Sequence, residues 1–168
     1  MPYTIHIHTN HMELILLCGI PTSGKSTYVK TLLSQPYWGN AVVLSTDNYI
    51  QNVAEKQGKT YNEVFQDHIS AATEFMWEGL QFAVHEGRDI IIDQTNLTRK
   101  TRKTKTSRVS ADMYRKRAVY FELSLKEALE RNQHREGKFI PESILKRMYH
   151  SFEIPNNNED FETIERGN

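Results

Sequence analysis

One stretch of the chain, Gly19-Ile20-Pro21-Thr22-Ser23-Gly24-Lys25-Ser26, carries residue types at a spacing that can hold a row of phosphates. A glycine, four residues, then Gly-Lys-Ser is the pattern of a phosphate-binding loop between a strand and a helix. Gly19 and Gly24 allow the backbone to curl until its N–H groups point inward at an anion. A helix opening at Lys25 adds partial positive charge at the same point. The Lys25 ammonium can reach the β- and γ-phosphates of a nucleotide, and the Ser26 hydroxyl can ligate Mg²⁺. The implied cofactors are ATP and Mg²⁺.

Other polar residues must serve the same chemistry or a plainer one. Asp93 ends the apolar run Ile90-Ile91-Ile92. A carboxylate leaving a buried strand beside the loop would hold Mg²⁺, usually through water; its plainer role is to cap the next turn. Asp47 follows a second apolar run, in Ser45-Thr46-Asp47-Asn48-Tyr49. In a doubly wound sheet the strand ends line the ligand crevice, so Asp47 should face the cleft of Lys25, where it could accept the proton of an attacking hydroxyl. An aspartate there is also a good helix N-cap, and spacing alone leaves both roles open. Arg131 and Arg135 share one face of an expected helix ahead of Gly137. They could clamp phosphates from a lid, or form a solvated face near a helix end. Arg99, Lys100, Arg102, Lys103, Lys105 and Arg108 form a run with no acid between them, suited to a nucleic acid backbone or again to solvent.

The elements needed to place these residues are legible as alternating apolar runs and periodic stretches. Strands are expected over residues 14–18, 41–45, 89–93 and 118–123. The tail, through Phe161 and Ile164, can add an edge strand. Helices are expected over 25–33, 60–86, 98–110 and 124–135, with one more after Pro141 reaching about 151. Capping boxes mark Thr60 with Glu63 and Ser124 with Glu127. The alternation implies an α/β protein with a parallel sheet of four to five strands and helices on both faces.

The chain has 168 residues, 38% hydrophobic and 25% charged, with 21 basic and 21 acidic side chains. These values suit one ordinary globular domain and exclude a uniformly basic nucleic acid coat. No apolar run approaches membrane-spanning length, no signal peptide is apparent, and the single Cys18 fits a reducing, cytoplasmic setting. Residues 1–11 read as a leader and 12–168 as the domain. His6, His8 and His11 could suggest zinc but lack further close ligands, so an extended leader is the expectation.

The ordered pieces together resemble the kinase domain of 5′-hydroxyl polynucleotide kinases of the phage and end-healing repair type. They are Gly19 to Thr27, Asp47-Asn48-Tyr49, Asp93-Gln94-Thr95-Asn96-Leu97, Arg102, Arg131-Asn132 with Arg135, and Ile140-Pro141 leading to Leu145, Met148 and Tyr149. The resemblance runs from about residue 12 to 151. It implies a three-layer P-loop kinase fold with a helical lid, and transfer of the ATP γ-phosphate to the 5′-OH end of DNA or RNA. It implies that Asp47 is the general base and that Arg135, with Arg131, contacts the ATP phosphates. Thr22, Ser23 and Thr27 join Gly19 and Gly24 around the nucleotide, and Asn96 and Arg102 lie on the acceptor side. Two features depart from the phage member: Ile50 stands where it has an arginine gripping the acceptor, and Gln94 stands where it has an aspartate. Wider relatives phosphorylate hydroxymethylated DNA bases, aminoacyl-tRNA or small metabolites, which forms the alternative reading. A nucleotide switch is a third, for which no Asn-Lys-x-Asp guanine motif is present.

Overall fold

The computed structural model describes residues 11–168. Residues 1–10, on which most of the leader reading falls, lie outside the described residues. Strand β1, Met12–Cys18, is central in a five-stranded sheet. It is flanked by β3, Ile90–Ile92, and β4, Tyr114–Tyr120. The edges are β2, Val42–Leu44, and β5, Thr163–Arg166, in the order β2-β3-β1-β4-β5. All four pairings are parallel. The register sets Leu16 and Leu44 on either side of Ile92. Residues leaving β1, β2 and β3 therefore emerge side by side at one edge of the sheet, where a crevice forms.

Helices α1, Lys25–Leu33, α2, Thr46–Gln57, α3, Tyr61–His85, α4, Arg99–Thr106, α5, Leu125–Gln133, and α6, Glu142–Ser151, complete the chain. Side chains alternate along β1, so its two faces collect different partners. Ile15 and Leu17 pack with Val29 and Leu32 of α1 and with Trp38. Leu14, Leu16 and Cys18 pack with Met76, Leu80 and Ala83 of α3. The result is a sheet between helical layers. Burial pushes the Cys18 thiol up to about 12, so this residue packs and stays protonated.

The first helix matches its expected span residue for residue, and both expected capping boxes are formed. Phe161 and Ile164 pack on the core, with β5 at the edge as expected. Helix α4 stops at Thr106, four residues before the expected 110, and two further elements differ. Helix α2 has no apolar stripe strong enough to announce it; only Ile50 and Ala54 are buried. Strand β4 opens four residues before the expected 118, because Arg115, Lys116 and Arg117 hide its alternation. Lys116 is nevertheless buried, since Asp160 meets its ammonium at 2.5 Å. Among the described residues no helix is long and apolar enough to cross a membrane.

Candidate active site

The loop between β1 and α1 closes where the sequence places it. A side chain on Gly19 would meet Ser23 Oγ at 2.8 Å and the Phe121 carbonyl at 3.0 Å, so only glycine fits there. Gly24 caps α1 with φ 103°, a left-handed conformation that needs glycine. Thr22 also has positive φ, at 70°, which is unusual for a β-branched residue and marks a strained functional turn. Lys25 arches back over the curl and donates to the carbonyls of Gly19 and Ile20 at 2.9 and 2.8 Å. Burial lowers its pKa to about 8, against the pull of the Asp93 and Asp47 carboxylates. The N–H groups of the first turn of α1, which includes Ser26 and Thr27, have no helical acceptor and point from the helix start. Thr22 Oγ1, Ser23 Oγ and Arg135 Nη1 are buried without a hydrogen-bond partner among the described residues. Unsatisfied buried polar atoms in the loop and above it fit a site for a phosphate chain.

Asp93 leaves β3 beside this loop and accepts from Ser26 Oγ at 3.3 Å. A hydroxyl and a carboxylate side by side next to the phosphate loop are hard oxygen donors, the set that would hold Mg²⁺. Burial raises the Asp93 pKa, with Lys25 and Ser26 opposing it.

Asp47 lies in the first turn of α2. The N-cap is Ser45, whose Oγ accepts from Asn48 N at 3.3 Å, so Asp47 is free of that duty. Its carboxylate accepts from Tyr61 Oη at 2.8 Å and pairs with Lys138 Nζ at 2.8 Å. Burial opposes its charge, but Lys138, Tyr61 and Arg135 outweigh it and hold the pKa below the ordinary value. Tyr61 and Lys138 are site residues that the sequence did not single out. Each sits beside a recognised feature, Tyr61 after the Thr60 cap and Lys138 after Gly137, but only packing brings them to Asp47. Arg135 comes from the lid, residues 134–141 between α5 and α6. Its charge is disfavoured by burial and supported by Asp47 and Tyr61. Lys25, Ser26, Asp47, Asp93 and Arg135 all line one cleft of about 1010 Å³.

Three further expected residues have structural partners, although Asn96 also lines the cleft. Arg131 is exposed and donates to the Thr22 carbonyl at 3.0 Å, bracing the strained loop from its side chain. Asn96 is buried in a left-handed conformation; its amide donates to the Leu17 carbonyl at 2.7 Å and its oxygen accepts from Lys105. It ties the segment after β3 to β1, and its polar atoms are spent there. Arg102 is fully buried. It makes a two-pronged pair with Glu159, 2.7 Å for each bond, and donates to the carbonyls of Asn96 and Glu153 at 3.0 and 2.8 Å. It locks the tail onto the body of the protein and does not face the cleft. The basic run is therefore split: Arg99, Lys100, Lys103 and Arg108 are exposed, while two of its cations are buried. Arg102 and Lys105 point inward, Arg108 stacks 4.1 Å over Trp77, and Arg99 bonds the Asn158 carbonyl at 2.6 Å. Replacing Arg102 with alanine leaves Glu159, its side chain 4% exposed, without its cation. The expected loss is ~3–5 kcal/mol of stability. Denaturant unfolding checks it, and a loss under about 1 kcal/mol would return Arg102 to the surface cations.

Residues 14–155 match the model of a family described as AAA domain, AAA_33. The L-seryl-tRNA(Sec) kinase of Methanococcus maripaludis is 25% identical over 144 residues, 84% of this chain and 53% of that protein. The chain thus spans about half the length of that curated relative. A solved structure from Chloroflexus aurantiacus has a TM-score of 0.64 at 15% identity, covering 95% of this chain and 86% of that one. A chain of the Pnkp1/Rnl/Hen1 RNA repair complex has a TM-score of 0.63 at 20% identity, covering 87% and 45%. At these identities the likeness of the solved structures is one of fold. With a phosphate loop at the head of a parallel five-stranded sheet, flanking helices and a lid, the chain has a P-loop kinase-type fold and belongs to the AAA domain family.

Proposed function

We propose that the chain transfers the γ-phosphate of ATP to the 5′-hydroxyl end of a DNA or RNA strand. The observation that carries this reading is the convergence of Lys25, the Ser26–Asp93 pair and the Asp47 carboxylate on one cleft. The acceptor oxygen bonds the γ-phosphorus while its proton passes to Asp47. The bond from that phosphorus to the β–γ bridging oxygen breaks, and ADP leaves carrying the released charge. Lys25 and Arg135 neutralise the charge on the transferring group, as such loose transition states require. Ser26 and Asp93 would hold Mg²⁺, which when bound neutralises and orients the β- and γ-phosphates. The polynucleotide acceptor is supported by the ordered motifs and by the fold shared with a chain of an RNA repair complex.

A second acceptor, the hydroxyl of an aminoacyl group on tRNA, is favoured by the similarity to L-seryl-tRNA(Sec) kinase. The two readings share every residue on the donor side and separate at the acceptor. Labelled ATP offered with 5′-OH oligonucleotides of DNA and RNA, seryl-tRNA and a hydroxymethylated duplex decides between them. Label should enter the 5′-OH strands and fail to enter strands already phosphorylated at that end. Label on seryl-tRNA with none on the oligonucleotides overturns the first reading in favour of the second.

A further inference from the structure

The Asp47 side chain is 51% exposed and projects from the first turn of α2, so its own helix does not settle which way its oxygens turn. Its partners must do that. Tyr61 Oη donates to Oδ1 and Lys138 Nζ meets Oδ2, each at 2.8 Å, and each oxygen keeps room to accept a further bond. Lys138 is a poor anchor. Its ammonium rides on a flexible four-carbon stem, and donor phosphates held by Lys25 in the same cleft would attract it as Asp47 does. Tyr61 is neutral and feels no such pull.

Tyr61 is also held on several sides. Its backbone opens α3 directly behind Thr60, whose N–H donates to Glu63 Oε2 at 2.7 Å in the capping box. The next residue, Asn62, fastens the same turn to the lid. It donates from its backbone to the Gly137 carbonyl at 3.0 Å and from its side chain to the Phe139 carbonyl at 2.7 Å. Gly137 lies so close that a side chain there would come within 3.0 Å of Thr60. The Tyr61 ring packs on Phe65, with 5.6 Å between centroids. Burial and the Asp47 carboxylate push the phenol pKa up, so its hydroxyl stays a donor across the neutral range.

We propose that Tyr61 is the positioning residue of the general base, fixing the Asp47 carboxylate with its remaining lone pairs toward the acceptor hydroxyl. This role rests on the reading of Asp47 as the base. Positioning and acidity act here in opposite senses. The bond from Tyr61, with the charges of Lys138 and Arg135, holds the Asp47 pKa below the ordinary value against burial. Removing the hydroxyl therefore makes Asp47 a stronger base. A bond that only tuned acidity would, on its loss, leave turnover unchanged or raise it. A bond that positions the carboxylate lowers turnover on its loss, because a misplaced base transfers slowly even when it is stronger.

Tyr61→Phe removes one oxygen and keeps the ring, with its contacts to Phe65 and to the Lys138 ammonium 4.4 Å from its centroid. Turnover is followed with labelled ATP and whichever of the 5′-OH oligonucleotide and seryl-tRNA acceptors takes label. The expected fall in kcat is about tenfold or more, with the KM for ATP and the melting temperature near wild type. The same change is then made in Asp47→Asn. A residue that acts through Asp47 has no base left to position there, so Tyr61→Phe should lower the remaining kcat by less than about twofold, the accuracy to which independent changes add. Tyr61→Leu takes its place in both backgrounds if Tyr61→Phe does not fold. A kcat within about tenfold of wild type, or above it, overturns the positioning role alone. So does a larger fall in the Asp47→Asn background, which would have Tyr61 act on the acceptor directly or on the fold. Wild-type turnover in Asp47→Asn overturns the reading of Asp47 as the base, and the role of Tyr61 with it.

Discussion

Replacing Lys25 with alanine lowers phosphoryl transfer by at least ~10³-fold, several kcal/mol of transition-state stabilisation. The residue is 8% exposed, and its ammonium sits at the mouth of the loop curl between two carbonyls. Alanine removes the cation that meets the β- and γ-phosphates. It also removes the bonds that draw together the carbonyls of Gly19 and Ile20, next to the strained Thr22. Arg135 does not replace those bonds, because it belongs to the lid, where Asp47 and Tyr61 support its charge. The measurement is kcat/KM for ATP with a saturating acceptor. Activity within tenfold of wild type would show that this loop is not the donor site.

Asp47→Asn separates mechanism from stability. The side chains are nearly isosteric, and the helix cap belongs to Ser45, so the substitution leaves the capping of α2 intact. What it removes is the charge that pairs with Lys138, a first-turn carboxylate worth about 0.3–1 kcal/mol against the helix dipole, and the ability to take a proton. A general base contributes typically ~10²–10⁴-fold, and kcat should fall by that amount. ATP Kd should hold, because Lys25, Ser26 and the loop backbone are untouched. Ser45→Ala is the control: it should cost ~1 kcal/mol of stability through the lost cap. Measuring kcat, ATP Kd and melting temperature for both variants decides the matter. A normal turnover rate in Asp47→Asn would remove Asp47 from its place at the centre of the mechanism.

The two outcomes depend on parts of the protein that were not equally visible in its sequence. The phosphate loop was legible because it is local: eight consecutive residues settle its backbone path, and Gly19 and Gly24 occupy the positions where a side chain would clash or a left-handed turn is required. The capping boxes of α3 and α5 were legible for the same reason, each being a reciprocal pair of bonds across three residues. The position of Asp47 and Asp93 beside Lys25 was legible at one remove, since a parallel sheet brings its strand ends to one edge whatever the details of packing.

The basic run shows where that legibility stops. Arg102, Lys105 and Thr106 fall at the helical spacing of a buried face, a periodicity that would have been read as core had the side chains been apolar. Whether such a face meets water or protein depends on partners far away in the chain. Here Glu159, 57 residues on, supplies the carboxylate that allows Arg102 to be buried. The partners of Asp47 follow the same rule. Tyr61 and Lys138 lie 14 and 91 positions away, on elements whose relative placement is set by the packing of α2 on α3 and the docking of the lid through Asn62. Short-range backbone geometry and sheet topology were thus determined by the sequence alone. The roles of the charged side chains were decided by the tertiary structure, because a charge is stabilised or spent only by the groups that surround it in space.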